Sequence, residues 1–356
     1  MANVLPIMGK WDILMYAYEF DEAVQMYVHT SGGRSGHGWL EMGYWAQCGQ
    51  YYALGRILPG LRDELIVGFA LRPQAGSPGY DFITFGRSGW SQCSAMISST
   101  GEVCGMGYRN GYVGTTGGGQ YQATIVGRTA PNSAPMNVWH YWEFHVSNGS
   151  MQVQRDGQLV ATWSHPAIHA PYDTFYLGKI NGQDAGYANY AQWRYDFDDL
   201  YLIDTLDPPP NAFLGDVEIT TIWPRGAGSN TEWVTQPSGT PNWYAVSDPI
   251  PDDDGSLITT DAAAQIDSYQ MQHLPDAPIS GAQYTYWTRS VPGTTPKLVT
   301  LTRRSGSERQ GTYQMLPMPD YSFVTTQYGY NPLSGAPWVA DDFNDPTAEH
   351  GVVLIP

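Results

Sequence analysis

The chain has 356 residues, enough for two ordinary domains, and carries a formal net charge of −17 with only 14% charged residues. Its only lysines are Lys10, Lys179 and Lys297, so the basic stripe that grips phosphates is missing, and nucleic acid and anionic membrane surfaces are excluded as partners. No window reaches the ~18 apolar residues of a membrane span, and Met1 to Met15 lacks the basic-then-apolar order of a signal peptide.

Trp 13, Tyr 25, Gly 40 and Pro 26 favour short strands joined by turns, and a hydrophobic content of 42% supports packed cores rather than disorder. Residues 65–71, Leu-Ile-Val-Gly-Phe-Ala-Leu, form an apolar run closed by Arg72-Pro73, as a buried sandwich strand requires. Residues 82–85 are a second short strand. A hairpin centred on Thr100-Gly101 is expected to set Cys104 opposite Ile97, away from Cys93. With Cys48 as the third cysteine, all are read as free thiols in a reducing compartment.

The plainest pattern runs from Trp139 to Trp163. Trp142, Phe144 and Val146 alternate with Glu143 and His145 before Asn148-Gly149 turns the chain. Met151, Val153 and Arg155 alternate with Gln152 and Gln154, Asp156-Gly157 turns it again, and Leu159, Ala161 and Trp163 complete the third strand. Asn-Gly and Asp-Gly supply the positive φ angles of tight hairpins, so a three-strand meander is predicted. Strands at 175–178 and 195–203 close a first domain over residues 1–206. Asp207-Pro208-Pro209-Pro210-Asn211 lies in a stiff linker at 207–212, because proline cannot join a ladder. A second domain is expected over 213–356, with strands at 213–223, 243–246, 266–272, 282–291, 297–302 and 322–328 and a turn near 261–264. The fold class is all-β: two tandem antiparallel β-sandwiches.

The pattern Trp139-x2-Trp142-Glu143-Phe144-x-Val146, with Asn148-Gly149, Val153, Asp156-Gly157, Val160 and Phe197-Asp198-Asp199-Leu200-Tyr201, resembles the concanavalin A-like jelly roll, a superfamily that includes laminin-G-like domains. Phe213-Leu214-Gly215-Asp216-Val217-x-Ile219, Trp223-Pro224, Asp252-Asp253-Asp254, Asp267-x-Tyr269, Ile279-Ser280-Gly281 and residues 331–338 (Asn-Pro-Leu-Ser-Gly-Ala-Pro-Trp) resemble the region C-terminal to such a domain in tailed-bacteriophage structural proteins. The resemblance implies a non-catalytic virion component, a head decoration, neck or collar, or tail appendage. It would be assembled in the host cytoplasm, act through contacts with capsid, neck or tail proteins, and associate as a homo-oligomer. The alternative is a carbohydrate-binding adhesin that recognises host glycans, and the third reading is a glycoside hydrolase.

No residue pattern assigns a catalytic, cofactor or metal site. Glu19-Phe20-Asp21-Glu22 breaks the Glu-x-Asp-x-Glu spacing of jelly-roll glycosidases at Ala23. Glu143 and His145 share a strand face and could form an acid/base pair, but a polar outer face explains them better. Asp198-Asp199 read as outer-face or edge positions rather than calcium ligands, and Asp252-Asp253-Asp254-Gly255 as an acidic turn lacking EF-hand spacing. The histidines are scattered; His165 and His169 sit close together without matching ligands. Gly86-Arg87-Ser88-Gly89 misses a nucleophile elbow, and Gly117-Gly118-Gly119 reads as a loop rather than a phosphate cradle. Asn148-Gly149-Ser150 matches a glycosylation sequon within the hairpin. The aromatics are the one positive binding signal: a cluster of Trp39, Tyr44, Trp45, Tyr51 and Tyr52, and Trp90, Tyr108 and Tyr112 beside the glycine-rich loop. The last three are the candidate glycan or interface contacts, against core packing as the other use of such rings.

Overall fold

The computed structural model describes residues 5–6, 13–15, 24–29, 31–34, 39–44, 52–74, 81–87, 90–108, 123–179, 193–203, 212–248, 252–290, 296–316 and 320–355. It is an all-β, multi-sheet architecture of the β-sandwich type, and contacts divide it into Pro6–Ile219 and Thr220–Pro356. The 213–219 stretch, expected to open the second domain, packs with the first unit.

In the first unit, one antiparallel sheet runs Gln158–Ser164, Ser150–Arg155, His140–Ser147, Glu64–Pro73, Trp193–Ile203, Trp39–Tyr44, Val24–His29. The other runs Ala123–Arg128, Val103–Tyr108, Trp90–Ile97, Asp81–Arg87, Tyr172–Lys179, Tyr52–Arg62, Ile13–Met15. Between them lies an aromatic core. Phe82 of the second sheet meets Phe69, Phe144 and Tyr195 of the first at ring-centroid distances of 6.1, 5.8 and 5.9 Å. Trp163 closes the edge by lying over Gly105 and Gly127, where a Cβ would come within 2.4 and 2.1 Å of the indole.

The meander forms as its turns dictate, with Gly149, Asp156 and Gly157 all at positive φ. Trp142, Phe144 and Val146 pair with Arg155, Val153 and Met151. A bulge between Val153 and Gln154 sets Leu159 opposite Gln154, so Leu159 is 59% exposed instead of following Ala161 and Trp163 inward. The hairpin near Gly101 is also one residue off the expected register. Ser98 N–H donates to Glu102 O and Gly101 takes positive φ, so Ile97 faces Val103 and Cys104 faces Met96. Cys93 and Cys104 are buried and unbridged, and Cys48 lies outside the described residues.

Asp198 and Asp199 sit within a central strand of the first sheet, not at its edge. Ladder pairing jumps from Asp198↔Ala70 to Tyr201↔Gly68, with Asp199 at φ 50, and this bulge drops Asp199 into a buried position. The Tyr201 ring then covers Gly68, whose missing Cβ leaves the room.

The second unit is built on a sheet ordered Pro224–Thr231, Ile266–Met271, Glu349–Ile355, Lys297–Arg304, Ser307–Met315. Two two-stranded ribbons accompany it, Val234–Gln236 with Leu257–Thr259 and Ala282–Thr288 with Ser322–Tyr328. Residues 213–223 contain no strand, and Asn242–Ala245, which overlaps the strand expected at 243–246, is a helical turn. Pro241, held at φ −61 and without an N–H to lose, suits the start of that turn.

Gly68→Ala tests the close approach at the bulge. An added Cβ would lie 2.1 Å from the Tyr201 ring, and a loss of about 1–3 kcal/mol in urea unfolding is expected. Wild-type stability would mean that the ring does not occupy that space.

Candidate functional site

The face of the second sheet turned away from the aromatic core is polar. A bulge between Asp81 and Ile83 lets Phe82 enter the core while Asp81 stays on the row of Met96. Thr84 pairs with both Ser94 and Tyr176, so these three side chains share that face. The Tyr108 hydroxyl donates to Asp81 Oδ2 at 2.9 Å. Its single proton is thereby committed, so the Ser94 hydroxyl, 2.9 Å away, is the donor to the phenol oxygen. Thr84 donates to Gly178 O at 2.9 Å. Asp81, Thr84, Ser94 and Tyr176 are buried, while Tyr108 is half-buried. Burying hydroxyls and a carboxylate costs stability that aliphatic side chains would not cost. The row sets a carboxylate, a phenol and a serine hydroxyl side by side, and it can hold or pass a proton along Ser94, Tyr108 and Asp81.

The outward face of the first sheet carries a second polar cluster, closed by the chain itself. Glu143 is fully buried rather than part of a solvated outer face. Its Oε1 accepts from the Tyr201 hydroxyl and from Gly215 N–H, and Leu214 N–H donates to the Tyr201 oxygen. Asp199 Oδ1 accepts from Ile219 N–H at 2.9 Å, with Arg34 Nη1 3.7 Å from Oδ2. Arg34 also pairs with Asp216 and lies 5.1 Å from the centre of the Tyr141 ring. Burial raises the Glu143 carboxyl above the usual range and pushes Asp199 up to about 6. These carboxylates anchor the 213–219 segment, which lies over them. His145 does not complete an acid/base pair: it binds Glu64 at 2.9 Å and meets Phe213 edge-on.

Of the residues singled out for binding, Tyr108 lies in the polar row, Trp90 opens the neighbouring Trp90–Ile97 strand, and Tyr112 lies outside the described residues. So do residues 19–22, Gly117–Gly119, Trp45 and Tyr51, and only the backbone of Trp39, Tyr44 and Tyr52 is described. Asp81, Ser94 and Thr84 are not among the residues that motif reading selects. The one signal that could have found them is polar residues inside otherwise buried strands. Asp252, Asp253 and Asp254 are each engaged by protein groups, Ser256, Trp287 and Arg289 respectively. Among the described residues no group of three or more His, Cys, Asp or Glu is placed to hold a metal ion. His165 Nδ1 accepts from Ala167 N–H, a local turn contact.

No protein-family model matches the chain, and a search of curated proteins finds no match. Solved structures do match in fold. An endo-β-1,4-glucuronan lyase from the fungus Trichoderma reesei is 17% identical, covering 58% of this chain and 95% of its own, at a TM-score of 0.40. The cellulose-induced protein Cip1 is 15% identical over 55% of this chain and 92% of its own, at 0.34. An alginate lyase of polysaccharide lyase family 7 is 11% identical over 56% and 92%, at 0.35. Two of the three are polysaccharide lyases and none is a particle protein, which runs against the expected non-catalytic tailed-phage role; the likeness itself is one of fold alone. Scores of this size carry no substrate or mechanism across to this chain.

The buried Asp199 has a pH signature. Its carboxyl is held near 6 against an ordinary 3.8, chiefly by burial, with Asp198 and Glu218 adding to the rise and Ile219 N–H and Arg34 opposing it. The folded state therefore binds the proton more tightly, so the stabilisation is full below about pH 4 and is lost as pH rises through about 6. Asp199→Asn keeps an acceptor for Ile219 and removes the titration. Its stability relative to wild type is expected to rise by about 1 kcal/mol between about pH 4 and about pH 8, after discounting for screening. Urea unfolding at both pH values reads this, and a constant difference would show that Asp199 is not buried under the segment.

Proposed function

We propose that the first unit is a carbohydrate-active β-sandwich that seats a neutral glycan against the row formed by Asp81, Ser94 and Tyr108. The observation that carries this is the Tyr108 hydroxyl shared between a buried carboxylate and a buried hydroxyl, on the polar face of the second sheet. Carboxylate, phenol and serine are the donors and acceptors that match sugar hydroxyls, and a tyrosine ring offers an apolar face beside them. The net charge of −17 and the carboxylate in the row favour a neutral glycan over a polyanionic one. Proton movement between Tyr108 and Asp81 is the chemistry this arrangement supports.

The sandwich itself we assign to the concanavalin A-like jelly rolls, on the meander and the Trp139-to-Val146 pattern. The second unit we read as a smaller sandwich, because its Ala282–Thr288 and Ser322–Tyr328 ribbon turns one side toward the larger sheet: Tyr284 and Tyr286 hydroxyls reach His350 and Thr300.

A glycan array and a depolymerisation assay on neutral polysaccharides test the proposal. Tyr108→Phe and Asp81→Asn are each expected to weaken binding or turnover about tenfold, the size of one or two lost hydrogen bonds. Wild-type protein that neither binds nor cleaves any neutral glycan, or that prefers uronate polymers, would refute it.

A further inference from the structure

The second unit carries an outward-facing strip that the proposed glycan row does not use. In the Ala282–Thr288 and Ser322–Tyr328 ribbon, alternate side chains turn inward. Tyr284 hydroxyl meets His350 Nδ1 at 2.7 Å, Tyr286 hydroxyl lies 3.3 Å from Thr300 Oγ1, and Val324, Thr326 and Tyr328 are buried. Strand periodicity therefore puts Gln283, Thr285 and Trp287 on the opposite side, with Phe323, Thr325 and Gln327 across from them. There Gln327 Nε2 donates to Gln283 Oε1 and Gln283 Nε2 to Thr285 Oγ1, each at 2.9 Å. The result is an uncharged ladder of amides and hydroxyls along the ribbon.

The ladder ends at Trp287, which is 36% exposed yet held on several sides. Its ring lies nearly parallel to Tyr321, 5.8 Å away and inclined by 11°, and meets Phe323 at 4.6 Å. The indole N–H donates to Asp253 at 2.8 Å. Tyr321 is held in turn by a hydroxyl bond to Asp254 and by Arg289, 4.6 Å from its ring centre, while Arg289 also pairs with Asp254. With its one donor directed into the acidic turn, Trp287 offers solvent carbon surface alone. Holding an exposed indole still removes the rotamer-entropy cost that a ligand would otherwise have to meet.

We infer that this strip is a second carbohydrate-binding surface, on which Trp287 stacks against the apolar face of a sugar ring and the Gln283, Thr285 and Gln327 ladder bonds to its hydroxyls. The ligand is a neutral oligosaccharide: the ladder has no charge to meet an anion, Arg289 is spent on Asp254, and the chain is strongly acidic. The inference rests on the carbohydrate reading above for its ligand class, not for its residues.

Affinity electrophoresis of the full chain through gels containing xylan, mixed-linkage β-glucan or galactomannan tests it, with calorimetry on oligosaccharides of whichever polymer retards the protein. Trp287→Ala is expected to weaken one binding site at least tenfold, and Thr285→Arg, which fills the strip without touching the aromatic packing, to do the same. Tyr108→Phe should leave that site intact. Loss of that site in both strip variants, with the site retained in Tyr108→Phe, supports the inference even if the first unit binds nothing. Unchanged affinity in Trp287→Ala and Thr285→Arg, retardation by none of the polymers, or loss confined to Tyr108→Phe overturns it.

Discussion

Phe82 crosses from one sheet of the first unit to touch Phe69, Phe144 and Tyr195 of the other, and that contact fixes which way the neighbouring side chains point. Strand side chains alternate, so once Phe82 and Phe85 are committed inward, Thr84 must face out. The bulge before Ile83 adds the one residue that sets Asp81 on the row of Met96, within reach of Tyr108. A regular strand would instead put Asp81 on the face of Phe85 and Phe82 on the face of Thr84. The polar row is thus a consequence of how the core is filled.

The same constraint governs the other sheet. Phe69, Phe144 and Phe197 fill the core from alternate positions, which leaves Glu143 and Gly68 facing outward. The bulge at Asp199 then adds Tyr201 to that face, over Gly68. These groups are not wetted, because the 213–219 segment returns across them and binds them through backbone N–H groups. A buried carboxylate with only part of its bonding capacity met is costly, and both Glu143 and Asp199 keep one oxygen without a hydrogen bond. The cost ties the segment to the sandwich rather than leaving it as a free connector.

Local chemistry was readable in the residues, and long-range register was not. Asn148-Gly149 and Asp156-Gly157 announce the meander because a hairpin turn is decided within a few residues. Bulges at Val160 and Asp199 are decided by what packs above them, so Leu159 is exposed where an inward side chain was expected, and Asp199 is buried on the outer face beneath the 213–219 segment. The Pro224–Thr231 strand, not among the strands expected from the sequence, has Pro, Gly and Asn in it, and Gly228 lets its backbone close against Ser268. Tyr108 could be singled out as an aromatic beside a glycine-rich stretch, but its partner Asp81 lies 27 residues away in sequence and across two strand pairings. The virion reading failed for a related reason. A run of short strand and turn motifs reports a sandwich, and sandwiches host many chemistries.

The central claim is that the outward row of the second sheet is where a sugar sits. A crystal structure of the chain grown with a neutral oligosaccharide tests it most directly. The account requires sugar hydroxyls within hydrogen-bond reach of Asp81 and Tyr108, with the ligand on the side of the sheet opposite Phe82. A first unit that holds its sugar against the other sheet, where the 213–219 segment lies, would contradict it.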